Sequence, residues 1–300
     1  MKKILSIQGG GCYGIGPARF LSGLEAALPK TATLASMWDW IGGTSVGSII
    51  GACVAIGLPA KDILAFFQQD APVIFGSPRW WLQRLRGCYK YDAAALEAAL
   101  QKHLGEHTLA DCVTPFIATA IDMSTGRNVY FQSYGKSGAD EDEIIIGPDS
   151  GWKLWEVCRA SSAAQSYFPA FVKGGMVLWD GGFSGQNAPD LLLLDEVNDD
   201  RKAAMLSLGH GRLPWTVKGA DMIRPSFKQV IAASLAMATG APAQAAVWGA
   251  KRRLGTRHLR VDPPLARDYG IDDASGPTQA VEMAAWDKAF AATDLSLFLA

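Results

Sequence analysis

Trp38-Asp39-Trp40-Ile41-Gly42-Gly43-Thr44-Ser45-Val46-Gly47-Ser48-Ile49-Ile50 passes from a short apolar run through paired glycines into a second, longer one. The first run, Trp38 to Ile41, suits a buried strand, and Val46 to Ile56 reads as a buried helix. Their junction, Gly43-Thr44-Ser45-Val46-Gly47, matches G-x-S-x-G. A serine on a sharp strand-to-helix turn needs neighbours without side chains, which is the steric sense of Gly43 and Gly47. The turn would set Ser45 at a helix N-terminus, whose dipole favours developing negative charge.

The same strand–glycine–helix order recurs upstream. Lys3 to Gln8 is a short apolar run ending in Gly9-Gly10-Gly11-Cys12-Tyr13-Gly14, and Phe20, Leu21, Leu24 and Leu28 mark a helix over Ile15–Leu28. Downstream, Pro115–Ile121 and Arg127–Tyr134 read as strands joined by the turn Ser124-Thr125-Gly126. Trp152–Ala164 has helical spacing, Met176–Trp179 is a strand running into Asp180-Gly181-Gly182, and Ala203–Leu208 a strand running into Gly209. Phe227–Leu254 and Pro277–Leu299 read as helices, the first interrupted near Pro242. Strands alternating with helices imply an α/β layered fold with a largely parallel sheet. Without repeats or low-complexity linkers, residues 1–300 are expected to form one domain. Lys136–Glu143, carrying Asp140-Glu141-Asp142-Glu143, is expected to be an exposed, mobile loop.

Composition narrows the function classes. The 300 residues are 49% hydrophobic and 19% charged, with a net charge of −1. That excludes a disordered, coiled-coil or collagen-like chain, and no overall positive field is present to hold nucleic acid. Five scattered cysteines form no C-x-x-C pair, so neither a disulfide framework nor a zinc site is expected, and a cytoplasmic location is. Met1-Lys2-Lys3 has no apolar h-region behind it. Ile41–Ala60 and Ile231–Ala250 carry no charged residue, but glycine, serine and alanine dominate them, so they are expected to be buried elements rather than membrane spans.

The glycine loop has two readings. Its backbone N–H groups could cradle a phosphate or an oxyanion. No G-K-[ST] follows, and with an apparent nucleophile elbow just downstream the oxyanion hole is favoured. Ser45 then needs a base. His210, after the strand that ends at Leu208, is the best-placed histidine; Asp180, at a strand end beside Gly181 and Gly182, is its rival. His103 and His107 lack a third ligand and are expected to face solvent, and His258 lies in a basic cluster from Lys251 to Arg260.

Taken in order, Gly9-Gly10-Gly11-Cys12-Tyr13-Gly14, Gly43-Thr44-Ser45-Val46-Gly47 and Asp180-Gly181-Gly182 resemble the signatures of the patatin-like phospholipase family. Supporting blocks resemble it too: Ala160-Ser161-Ser162-Ala163-Ala164-Gln165-Ser166-Tyr167-Phe168-Pro169, Asn187-Ala188-Pro189, Ser207-Leu208-Gly209-His210-Gly211 and His258-Leu259-Arg260-Val261-Asp262. The resemblance runs from about residue 3 to 265 and implies a three-layer α/β/α fold. It implies a Ser–Asp dyad, with Ser45 as nucleophile, Asp180 as base, and Gly10 and Gly11 supplying the oxyanion N–H groups; Gly9, Gly14, Gly43, Gly47, Gly181 and Gly182 support them. His210 falls back to a structural role, and no metal or cofactor is needed. Two positions depart: Gln8 and Tyr13 stand where the family often has Asp and Arg.

The implied substrate is the acyl ester of a membrane glycerophospholipid. Arg79-Trp80-Trp81-Leu82-Gln83-Arg84-Leu85-Arg86-Gly87-Cys88-Tyr89-Lys90-Tyr91 mixes basic and aromatic residues with no acid, the composition of a peripheral membrane contact or of a packed lid or subunit contact in a homo-oligomer. Some bacterial members of the family are switched on by cyclic nucleotides, so a nucleotide activator is a further partner the resemblance admits. The alternative from another class is a nucleotide-binding module that uses the glycine loop without esterase activity.

Overall fold

Leu5 and Ile7 of β1 (Lys2–Ile7) face one hydrophobic core, while Ile4 faces another. The computed structural model describes residues 1–79, 88–197, 200–213 and 223–299. The remaining strands are β2 (Trp40–Thr44), β3 (Phe116–Asp122), β4 (Arg127–Gln132), β5 (Gly138–Ala139), β6 (Glu143–Ile146), β7 (Phe171–Lys173), β8 (Met176–Asp180), β9 (Ala203–Leu208) and β10 (His258–Val261). The helices are α1 (Ile15–Ala27), α2 (Leu34–Met37), α3 (Val46–Ala55), α4 (Ala60–Ala65), α5 (Ala71–Ile74), α6 (Ala94–Leu104), α7 (Leu154–Ser161), α8 (Asp190–Asp195), α9 (Phe227–Leu254), α10 (Gly276–Ala292) and α11 (Ser296–Leu299).

All ten strands among the described residues join one sheet, in the order β10-β9-β1-β2-β3-β4-β6-β5, with β8 pairing β3 and β7. From β10 to β3 every pairing is parallel. Period-2 alternation sends residues to opposite faces. Phe116, Ala118 and Ala120 of β3 and Leu206 and Leu208 of β9 pack under α1, α3, α6 and α7. Ile117 and Met205 pack on the other face against Leu193 and Leu194 of α8 and Leu254 of α9. The result is the three-layer α/β/α arrangement with a mostly parallel sheet.

One detail of the sheet positions the site. β4 fills one edge of β3 over its whole length, so β2 and β8 share the other edge. Thr44, the last residue of β2, pairs with Thr119, and Asp180, the last residue of β8, pairs with Ala120. Since β8 is antiparallel to β3, the two strands meet head to head.

Several expectations are corrected. α9 runs unbroken through Pro242; Ala238, four residues earlier, is exposed, so water can take the carbonyl that proline leaves without a donor. The stretch Ile231–Ala250, expected to be buried, mostly lies on the surface: Ala233, Ala243 and Ala250 face inward, while Met237 and Trp248 are exposed. Small side chains give this helix little to bury, and Arg252 stacks 4.7 Å over the Trp248 ring. No described helix is long and apolar enough to cross a membrane. The helix over Pro277–Leu299 breaks after Ala292, where the Asp294 carboxylate accepts the Ser296 amide and starts a new turn. Lys136–Glu143 is exposed but folds as a hairpin, β5 against β6, with Asp140 accepting the amides of Asp142 and Glu143. His103 is largely buried and pairs with Asp70 at 2.7 Å, whereas His107 is exposed.

Candidate active site

Ser45 has φ 55° and ψ −127°, a left-handed backbone that costs a non-glycine residue on the order of 1–3 kcal/mol. Its neighbours hold it there. The Ser45 amide donates to Ser161 Oγ at 2.9 Å, and its carbonyl accepts the Ser48 amide at 2.9 Å and the Ser48 hydroxyl at 2.6 Å. Crossing of the turn over β1 fixes the glycine requirement: a Cβ on Gly47 would lie 2.2 Å from the Ile7 carbonyl oxygen. Gly43 sits below it in β2, and Ser45 occupies the N-cap position of α3 without a capping side-chain hydrogen bond.

Asp180 arrives from the opposing strand and is 3% exposed. Burial pushes its carboxyl up to about 6, opposed by the polar Ser45 side chain and by a hydrogen bond from the Gly182 amide, 2.8 Å long. Gly181 packs against Thr119. The aspartate is thus a buried carboxyl on the same cavity as the serine, with its pKa raised by burial, a combination suited to moving a proton.

The glycine loop leaves β1 next to both. Gln8 donates its amide to the Leu208 carbonyl, Gly9 to the Asn187 carbonyl at 3.0 Å, and Cys12 to the Ile271 carbonyl at 2.7 Å. The amides of Gly10 and Gly11 between them have no acceptor among the described residues. Gly11 adopts φ 57°, and a Cβ there would fall 2.2 Å from the Ile271 oxygen. Gly14, at the head of α1, packs against Val46 and Phe67.

Ser45, Asp180, Gly9, Gly10 and Gly11 line one cavity of about 460 Å³, within the range of small-molecule sites. Its body is apolar, formed by Val46, Ile49, Phe66, Phe67, Ile74 and Phe168 among others. None of the described lining residues is Lys or Arg. His210 also lines it, but its Nδ1 donates to the Gly211 carbonyl at 2.8 Å and its side chain packs against Gly10. Burial lowers the His210 pKa.

Beneath the cavity is a polar network whose parts carry no isolated sequence signal. Asp190 accepts from Ser6 Oγ at 2.5 Å, Ser207 Oγ at 3.0 Å and His258 Nε2 at 2.8 Å. Arg260 donates to Ser207, to the Gln8 side chain and to Asp262, which in turn accepts the Gly211 amide. The cluster from Lys251 to Arg260 is therefore partly internal. Gln8 has a partner in Arg260, and Ser161, quoted above only as part of a supporting block, holds the elbow. Of Arg79–Tyr91, residues 80–87 lie outside the described residues; at its two ends the Arg79 amide donates to the Lys90 carbonyl at 2.7 Å.

The Ser45 turn, the Asp180 carboxyl and the Gly9–Gly11 loop thus lie together at the C-terminal ends of β2, the antiparallel β8 and β1. Residues 5–193 match the family described as patatin-like phospholipase, and the chain belongs to it. A cGAMP-activated phospholipase from Pseudomonas aeruginosa is 28% identical over 278 residues, which cover 90% of this chain and 80% of that protein. Patatin-16 of Solanum tuberosum is 31% identical over 181 residues, 56% of this chain but only 44% of the potato protein, so that match spans less than half of the relative's length. The crystal structure of VipD from Legionella pneumophila aligns over 97% of this chain and 67% of its own, with a TM-score of 0.48 at 10% identity.

Proposed function

We propose that this chain is a serine lipid acyl hydrolase of the phospholipase A type that works through a Ser45–Asp180 dyad. One observation carries the reading: the strained Ser45 and the buried Asp180 carboxyl line one largely apolar cavity together with Gly10 and Gly11, whose amides have no acceptor among the described residues. Ser45 Oγ attacks the acyl carbonyl carbon as its proton passes to Asp180. The tetrahedral oxyanion takes hydrogen bonds from Gly10 and Gly11, each such donor being worth about 2.7–4 kcal/mol of barrier. Collapse breaks the ester bond, the Asp180 proton goes to the departing alcohol oxygen, and the acyl group stays on Ser45. Water then attacks this ester, gives its proton to Asp180 and releases the fatty acid, returning the proton to Ser45. The apolar body of the cavity suits an acyl chain, and a wall without Lys or Arg among its described residues disfavours the nucleotide-binding alternative.

The membrane glycerophospholipid substrate, an approach to the bilayer through Arg79–Tyr91 and a cyclic-nucleotide activator belong to the same proposal. The activator is supported by the name of the Pseudomonas relative. Purified protein incubated with phosphatidylethanolamine–phosphatidylglycerol vesicles, with and without cGAMP, should release fatty acid and lysophospholipid. A Ser45→Ala protein that hydrolyses as fast as the parent would end this reading.

A further inference from the structure

Tyr13 stands where the resemblance leads one to expect an arginine, and it is built into a second structure altogether. Its phenol donates to Asp268 Oδ1 at 2.8 Å and accepts the amides of Tyr269 at 2.9 Å and Gly270 at 3.1 Å. Asp268 Oδ1 also accepts the Gly270 amide at 2.8 Å, closing a small knot. The far end of this segment is tied as well: Asp272 Oδ2 accepts from Tyr91 Oη at 2.6 Å and from Lys90 Nζ at 2.5 Å. Between the two ties sits Ile271, whose carbonyl takes the Cys12 amide at 2.7 Å and lies against Gly11. Tyr13, Asp268 and Ile271 all line the cavity that holds Ser45.

We propose that Tyr13 is a positioning residue for the oxyanion loop: through its hydroxyl it moors the strap Asp268–Asp272, and the strap, through the Ile271 carbonyl, fixes where the Gly10 and Gly11 amides point. Because Ile271 grips the residue directly after Gly11, a loosened strap frees the loop at the atoms that must meet the oxyanion. Misplacement of a catalytic group by about 1 Å can cost on the order of 10²-fold in rate. This proposal rests on the dyad reading above.

Tyr13→Phe keeps the ring, packed 6.0 Å from that of His210, and deletes the three hydroxyl contacts. In the full chain with lipid vesicles, kcat should fall about 10- to 100-fold with KM within about twofold, and the acid limb of the pH–rate profile should not move. Affinity for a trifluoromethyl ketone that forms a tetrahedral adduct on Ser45 should fall by the same factor. Hydrogen exchange at the Cys12 amide, which needs no activity, should become faster. Unchanged exchange at Cys12, or an unchanged kcat, overturns the role. Asp268→Ala removes the same tie from the other side and serves if Tyr13→Phe does not fold. A Ser45→Ala protein that retained activity would sink the dyad instead, so the two failures are distinguishable.

Discussion

Ser45 and Asp180 sit at the ends of strands that run head to head along one edge of β3, where Thr44 pairs with Thr119 and Asp180 with the next residue, Ala120. The sheet itself therefore brings the serine turn and the carboxyl together, with no mobile loop between them. Replacing Ser45 by Ala, or Asp180 by Asn, should lower ester hydrolysis by about 10³-fold or more while leaving the circular dichroism spectrum unchanged. A His210→Asn change should leave the rate within a few-fold, since His210 is engaged with Gly211.

Burial raises the Asp180 carboxyl to about 6, and this has consequences of opposite sign for activity and stability. With Asp180 as the base of the proposed dyad, activity needs the carboxylate, so kcat/KM should rise through about pH 6 and level off above it. Folding favours the protonated form, so the contribution is fully present below about pH 4 and is lost as the pH climbs through about 6. Asp180→Asn should then be inactive yet more stable than the parent at pH 8, by about 3 kcal/mol, with the gain vanishing below about pH 4. Denaturant titrations at the two pH values measure it.

Asp190 has the reverse linkage. Burial alone would raise its pKa, but the hydrogen bond from His258, the field of Arg260 and the Ser6 hydroxyl hold it below the usual carboxylate value. Its contribution to stability is present above about pH 4 and is lost as the pH falls below that. Asp190→Ala should destabilise by about 3 kcal/mol at pH 7, leaving Ser6, Ser207 and His258 without an acceptor, and should flatten the acid limb of the stability curve.

Two glycine-to-alanine changes should differ in sign. At Gly47 the added methyl meets the Ile7 carbonyl oxygen at 2.2 Å and should cost about 3 kcal/mol or more. At Gly240, inside α9, nothing lies within 4 Å of the new Cβ, and Ala should stabilise by about 0.5–1 kcal/mol. Thermal melts of the two variants provide the check.

The layered fold was legible because four strands run through or into glycine near their ends: Ile7, Thr44, Asp180 and Leu208, beside Gly9, Gly43, Gly181 and Gly209, precede the loops that meet at the cavity. Ser45, Asp180 and the Gly9–Gly11 loop could be singled out for the same reason, since close backbone approach leaves a mark in composition. The antiparallel direction of β8 left no mark, because strand direction is not written in an apolar run. The exposure of α9 was missed because alanine suits a buried or a bare helix equally well. The strap at Asp268–Asp272 was invisible as well; its tie to Tyr13 is one hydroxyl meeting groups some 255 residues away.

β9 and β10 lie beyond residue 193, where the family match ends, yet β9 is the direct neighbour of β1. Cutting the chain there would strip β1 of one partner, expose a row of unpaired amides and carbonyls, and take away the acceptors of the Gln8 and Cys12 amides. Fragment complementation for this protein is therefore better attempted at the solvent-facing hairpin near Asp140 than at the boundary a family comparison would suggest.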